Sequence, residues 1–131
     1  MDQDPLRVLI VDDDEVVRLS IRANLEAIGL LCQEAENGLQ ALSLIKTQTV
    51  DILLTDFNMP YMDGLQLTQT VTQNAAFYGS PTILFMSAGI TDKTRSMASQ
   101  AGAHTILDKP FSISEVLMAI QNHFDHLPQA A

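Results

Sequence analysis

A chain of 131 residues has room for one ordinary domain, and 47% hydrophobic content excludes a disordered chain while remaining too polar for a membrane protein. With 16 acidic against 7 basic side chains and a formal charge of −9, it lacks the positive footprint of a direct DNA binder. No apolar run approaches the ~20 residues of a spanning helix, and the acidic start Met1-Asp2-Gln3-Asp4-Pro5 is unlike a signal peptide, so a cytoplasmic location with no membrane partner is expected.

Strand-like and helix-like patterns alternate without a linker, composition break or repeat. A first strand is expected over Arg7 to Val11, and the segment after it places Val17, Ile21, Leu25 and Ile28 on one helical face before Gly29 stops it. A short peripheral strand near Leu31 to Glu34 holds the single cysteine, Cys32, which reads as a small buried residue. It leads to Asn37-Gly38-Leu39-Gln40, an N-cap with Gln three residues on, and to a helix burying Ala41, Leu42 and Ile45. Asp51 to Thr55 reads as a third, apolar strand; beyond the loop Asp56 to Asp63, Gly64 opens a helix rich in Leu, Gln and Thr. Pro81 introduces a fourth strand, Thr82 to Met86, and Thr91-Asp92 caps a short helix that ends by Gly102. His104 to Leu107 makes a fifth strand. Ser112-Ile113-Ser114-Glu115 is a capping box, and Ile113, Val116 or Leu117, Ile120 and Phe124 recur at helical spacing. The tail Asp125 to Ala131 is expected to fray, and His104, His123 and His126 read as scattered surface or edge histidines.

Five β-α units predict a single α/β domain, doubly wound, with a five-stranded parallel sheet and five helices on its two faces, because right-handed crossovers place helices on the faces. Continuous hydrophobicity marks the first, third and fourth strands as interior. Four of the runs are followed by polar residues: Asp12-Asp13 after Val8 to Val11, Asp56 after Ile52 to Thr55, Ser87 after Ile83 to Met86, and Lys109-Pro110 after Thr105 to Leu107. In the order 2-1-3-4-5 these lie along the carboxyl edge, and the switch point between the first and third strands brings Asp12, Asp13 and Asp56 together.

That set suits a divalent metal and a phosphoryl group. Asp56 reads as a nucleophile, since a carboxylate attacking phosphorus gives an acyl phosphate. For a lone Asp a turn-capping role would carry more weight; beside Asp12, Asp13 and Lys109 it does not. Asp12 and Asp13 read as a metal pair, with Asp13 the direct ligand, and Asp56 and the backbone carbonyl of Asn58 as further oxygens for Mg²⁺. Asp14 and Glu15 are assigned to the helix N-terminus. Ser87 and Lys109 would bind phosphoryl oxygens, against bland alternatives of a turn serine and a solvated lysine.

The motifs Val11-Asp12-Asp13-Asp14-Glu15, Thr55-Asp56-Phe57-Asn58-Met59-Pro60 with Asp63-Gly64, Met86-Ser87-Ala88-Gly89 and Asp108-Lys109-Pro110-Phe111 follow the right strands in the right order. Together they resemble the receiver domains of two-component response regulators, in their stand-alone, chemotaxis-type form. The resemblance covers roughly Leu6 to Phe124 and implies a flavodoxin-like fold with no output domain. It also implies a cis bond at Lys109-Pro110, and it exposes one departure: the position three before the lysine, often Tyr or Phe in the family, is Ile106.

The resemblance implies a phosphoacceptor signalling switch rather than an enzyme, one that promotes only its own phosphorylation and slow autodephosphorylation. Its phosphoryl donor would be a sensor histidine kinase or a histidine-phosphotransfer protein, docking against the first helix and the site loops. A downstream protein target would meet the helix opened by Thr91-Asp92, the fifth strand and the last helix. Two alternatives are an aspartyl-nucleophile phosphatase of the haloacid dehalogenase type and a receiver-like binding module that is not phosphorylated. The phosphatase needs a second Asp two residues after the nucleophile, where this chain has Asn58, an amide that cannot shuttle a proton.

Overall fold

A computed structural model describes residues 5–109 and 111–122. Five strands, β1 (Arg7–Val11), β2 (Leu31–Ala35), β3 (Ile52–Asp56), β4 (Thr82–Ser87) and β5 (Thr105–Asp108), form one parallel sheet in the order β2-β1-β3-β4-β5. Six helices connect and follow them: α1 (Glu15–Ala27), α2 (Gly38–Thr47), α3 (Gly64–Gln73), α4 (Ala75–Tyr78), α5 (Asp92–Ala101) and α6 (Ile113–Gln121). No helix among the described residues is long and apolar enough to cross a membrane.

Two apolar layers follow from the period-two alternation of side chains along a strand. On one face Val8, Ile10, Ile52, Leu54, Leu84 and Met86 pack with Ile21 and Leu25 of α1 and Val116 and Ile120 of α6. On the other, Leu9, Val11, Leu53, Ile83 and Phe85 pack with Ala41, Ile45, Leu67, Val71 and Ala98 from α2, α3 and α5. Because both faces are covered, β1, β3 and β4 read as unbroken apolar runs, which is why their interior position was visible in the sequence. Cys32 is buried on β2, and that burial pushes its thiol up to about 11.

The helix starts follow their capping residues. Asp14 caps α1, its carboxylate accepting from the Val16 and Val17 N–H groups, as expected of an acidic residue at a helix N-terminus. Asp63, Thr91 and Ser112 each form reciprocal boxes with the residue three further on. Asn37 caps α2 through the Gln40 N–H, but the Gln40 side chain accepts from Glu36 N–H rather than closing a box on Asn37.

Several expectations are corrected. Among the described residues there are six helices, not five: after α3 ends, Asn74 starts the four-residue α4, which Gly79 closes at φ 75°. Four residues make one turn, too few for a hydrophobic period to register. β3 and β5 each sit one residue later than expected, so Asp56 belongs to its strand and His104 precedes its own. His104 is instead tied to β4, its Nδ1 accepting from the Ile83 N–H at 3.0 Å. The positions of Phe124, His123, His126 and the tail, and the Lys109-Pro110 peptide, lie outside the described residues.

One glycine fixes how closely α3 approaches the end of β3. A Cβ on Gly64 would lie 2.2 Å from the Asp56 carbonyl oxygen and 3.1 Å from the Phe57 Cα, both backbone atoms with little freedom to yield. Gly64→Ala should therefore destabilise the fold by about 1–3 kcal/mol and displace the end of β3. Urea unfolding would measure the loss; an unchanged midpoint would show that α3 can back away without cost.

Candidate functional site

The sheet places its polar groups at the carboxyl edge because each apolar strand stops there. Asp12 follows β1, Asp56 ends β3, Ser87 ends β4, and Lys109 follows β5. Register carries the point across the sheet: Val11 lies opposite Thr55, Asp56 opposite Met86, and Ser87 opposite Asp108. Main-chain bonds then lock the strand ends, with Lys109 N–H donating to the Ser87 carbonyl at 2.8 Å and Phe57 N–H to that of Met86 at 2.9 Å.

Asp12, Asp13 and Asp56 each offer a carboxylate oxygen, and those atoms lie within 4.8 Å of one another. Lys109 Nζ bridges two of the three, 3.0 Å from Asp12 Oδ2 and 3.2 Å from Asp56 Oδ1. Asp12 is 1% exposed and Asp56 8%, whereas Asp13 faces solvent and its side chain has no hydrogen-bond partner among the described residues. Burial pushes Asp56 above the usual carboxylate range and the Asp12 carboxylate adds to this, against the pull of Lys109. For Lys109, burial works against the charge, but its bonds to Asp12 and Asp56 prevail and hold it above its ordinary value. The result is a firmly charged ammonium beside a carboxylate whose ionisation is opposed. A donor set of carboxylate oxygens alone suits a hard divalent cation.

Three of the expected site residues, Asp12, Asp13 and Asp56, are thus in mutual reach, and a fourth, Lys109, pairs with two of them. Asn58 is exposed and lines a shallow cleft of about 370 Å³ with Asp13, Met59, Pro60 and Asp63. Ser87 is buried at the end of β4, but its hydroxyl donates to the Ala88 carbonyl at 3.3 Å rather than to a carboxylate.

A family model for the response regulator receiver domain matches residues 8–121. This chain belongs to that family. PilG of Pseudomonas aeruginosa is 33% identical over 121 residues, covering 92% of this chain and 88% of PilG. The transcriptional regulator NtrC of Escherichia coli is 35% identical over 119 residues, 91% of this chain, which spans only 25% of NtrC. Among solved structures, the chemotaxis protein CheY4 of Vibrio cholerae superimposes with a TM-score of 0.85 at 26% identity, covering 90% of this chain and 98% of that one. Receiver domains are signalling modules phosphorylated by histidine kinases and acting on downstream targets, so the receiver reading drawn from the four motifs stands.

The receiver also contains a group that sequence reasoning missed. Arg18, 8% exposed on α1, donates from Nη1 to the Asp12 carbonyl and from Nε to Glu34 Oε1 on β2 at 3.0 Å. The signal was present: positions 18, 21 and 25 share one helical face, and an arginine among core aliphatics needs an acidic partner.

The electrostatics of Asp56 make a stability prediction. A carboxyl whose folded pKa is raised favours folding most when protonated; that contribution is full below its unfolded value of about 3.9 and is lost as pH rises through the folded value. Ionising Asp56 in the folded chain therefore costs stability. Without divalent cations, Asp56→Asn should be more stable than the parent by about 0.5–2 kcal/mol at pH 7, with the gap closing on acidification toward pH 4. Thermal unfolding across pH checks this, and a gap that ignores pH would contradict it.

Proposed function

We propose that this chain is a single receiver domain, with its core over about residues 6–124, that works as the phosphoacceptor switch of a two-component phosphorelay. It takes a phosphoryl group from a phosphohistidine onto Asp56, with Mg²⁺ bound, and changes its affinity for a protein target. The observation that carries the reading is the crowding of three carboxylates, two of them bridged by the Lys109 ammonium, at the switch point of a receiver sheet.

In the transfer, an Asp56 carboxylate oxygen attacks phosphorus, a P–O bond forms, and the P–N bond to the donor imidazole breaks with its electron pair leaving on the ring nitrogen. Lys109 exchanges one carboxylate partner for phosphoryl oxygen, and the Ser87 hydroxyl leaves the Ala88 carbonyl for another. Asp12, Asp13, Asp56 and the Asn58 carbonyl are the groups that would hold Mg²⁺. When bound, the ion neutralises charge on the phosphoryl oxygens. Asn58 provides no general base, which favours a long-lived modified state over hydrolytic turnover.

The donor's docking surface is read at α1. Val16 is 76% exposed at the start of that helix, and with Val17, Ser20, Ile21, Ala88 and Phe111 it lines an apolar cleft of about 530 Å³ that reaches Lys109. An amphipathic helix carrying the phosphohistidine fits such a rim. The surface formed by α5, β5 and α6 is assigned to the target.

Acetyl phosphate with Mg²⁺ should add one base-labile phosphoryl group to the protein, and Asp56→Asn should abolish it, as read by intact mass. Autodephosphorylation should take seconds to minutes, against the roughly 1–10³ s⁻¹ turnover of an enzyme. Steady hydrolysis of a generic phosphomonoester would favour the phosphatase alternative, and labelling that survives in the variant would remove Asp56 from its role.

Ile106 narrows how the switch can operate. It is half-buried against the layer that holds Phe85 and Ala98, and a β-branched aliphatic has few rotamers and no hydroxyl to exchange between water and interior. Activation should therefore run through Ser87-Ala88-Gly89 and α5, with Ile106 packed alike in both states. Methyl NMR with and without beryllofluoride and Mg²⁺ tests this; a rotamer change at Ile106 with Ser87 to Asp92 unmoved would reverse the assignment.

A further inference from the structure

Asp12 is held at every polar group. Its N–H donates to the Ala35 carbonyl at 3.1 Å, Oδ1 accepts from the Asp14 N–H at 2.8 Å, Oδ2 accepts from Lys109, and its carbonyl accepts from Arg18. The next residue is the opposite case: the Asp13 side chain is exposed and has no hydrogen-bond partner among the described residues. Its carboxylate is therefore aimed by backbone alone.

The peptide joining the two residues is a rigid plane, so holding the Asp12 carbonyl also fixes the Asp13 N–H and restricts where the Asp13 Cβ can point. The donor that holds this carbonyl is a buried guanidinium, and a charge-assisted bond of that kind is stronger than a neutral one. Arg18 is itself fixed at a second point, with Nε on Glu34 Oε1 at 3.0 Å. Glu34 in turn takes Arg22 Nη1 on Oε2 at 3.0 Å, and Arg22 Nε reaches Glu26 at 3.0 Å. A chain of ion pairs thus runs from the solvent side of α1, over the edge strand β2, to the back of the acidic pocket.

We infer that Arg18, oriented by Glu34, is a positioning residue that sets cation affinity by fixing the Asp12-Asp13 peptide and with it the free Asp13 carboxylate. The inference rests on the proposed Mg²⁺ site. The planar guanidinium is essential to it, because one group must serve the Asp12 carbonyl and the Glu34 carboxylate at once. A lysine ammonium in the same place keeps the charge but has no fork to span both partners.

Mg²⁺ titration of the intact chain, followed by amide NMR and calorimetry, separates this from a merely structural role. Arg18→Lys should bind Mg²⁺ about 10- to 100-fold more weakly, the range seen when a group supporting metal ligands is lost, and its metal-free Asp13 amide signal should be displaced. Glu34→Gln should weaken binding severalfold, and it decides the matter if Arg18→Lys does not fold. Arg22→Ala, which cuts the outer arm of the network without reaching Asp12, should bind as the parent does. Affinities within twofold of the parent in both Arg18→Lys and Glu34→Gln would overturn the inference and leave the metal site standing. So would an equal loss in Arg22→Ala, which would mark a general loosening of α1. A parent chain that fails to bind Mg²⁺ would overturn the metal reading, and this inference with it.

Discussion

Three carboxylates meet within 4.8 Å, and the Lys109 ammonium bridges two of them. One lysine cannot balance that much negative charge, and two of the carboxylates are almost out of water, where repulsion is least screened. Left to itself such a cluster would pull the strand ends apart. It persists because each acidic residue is attached to a strand buried on both faces, so relief by movement would mean breaking the apolar layers behind it. The charge imbalance is thus held in place by the sheet, and a divalent cation is what would rebalance it and make room for the further negative charge of a phosphoryl group.

The same constraint accounts for what the sequence made legible. Apolar strands that stop at an acid, a hydroxyl or a lysine are local features, and their order along the chain implied a sheet in which they converge. Helix starts were legible for a similar reason, since Asp14, Asp63, Thr91 and Ser112 satisfy N–H groups only two or three residues away. What could not be read was set by tertiary partners. Arg18 sits on the core-facing stripe of α1, but which groups it serves, Glu34 16 residues on and the Asp12 carbonyl, is set only by the fold. The Ser87 hydroxyl has a defined partner only because the loop after β4 turns the Ala88 carbonyl toward it. Helix α4 escaped because a single turn between Asn74 and Gly79 has no periodic face. The one-residue shifts of β3 and β5 reflect pairing with neighbours, to which a run's own composition is blind.

The loops around the site differ in how tightly they are fixed, and that difference indicates where a phosphoryl signal would do its work. Past β3, Phe57 N–H is bonded to β4 and Gly64 N–H to the Phe57 carbonyl at 2.9 Å, with α3 pressed against the Asp56 carbonyl. Past β5, Lys109 is tied to β4 through its backbone and to two carboxylates through its side chain. Past β4 the restraint is less. Ala88 and Gly89 are exposed, Gly89 takes φ 71°, and the chain is caught again at Thr91, where α5 begins.

Moving a two-state equilibrium from 1:99 to 99:1 needs about 5.5 kcal/mol of preference for one state, so that energy is best used where little packing opposes it. A few charge-assisted bonds from Lys109 and Ser87 to a phosphoryl group are of that order, at roughly 1.5–3 kcal/mol each. They would draw the end of β4 inward and carry the start of α5 with it, while β1, β3 and the Arg18 network behind them stay still. The receiver would then divide its labour by stiffness: one edge of the crevice is fixed to present charge, and the other is free enough to report that the charge has been met.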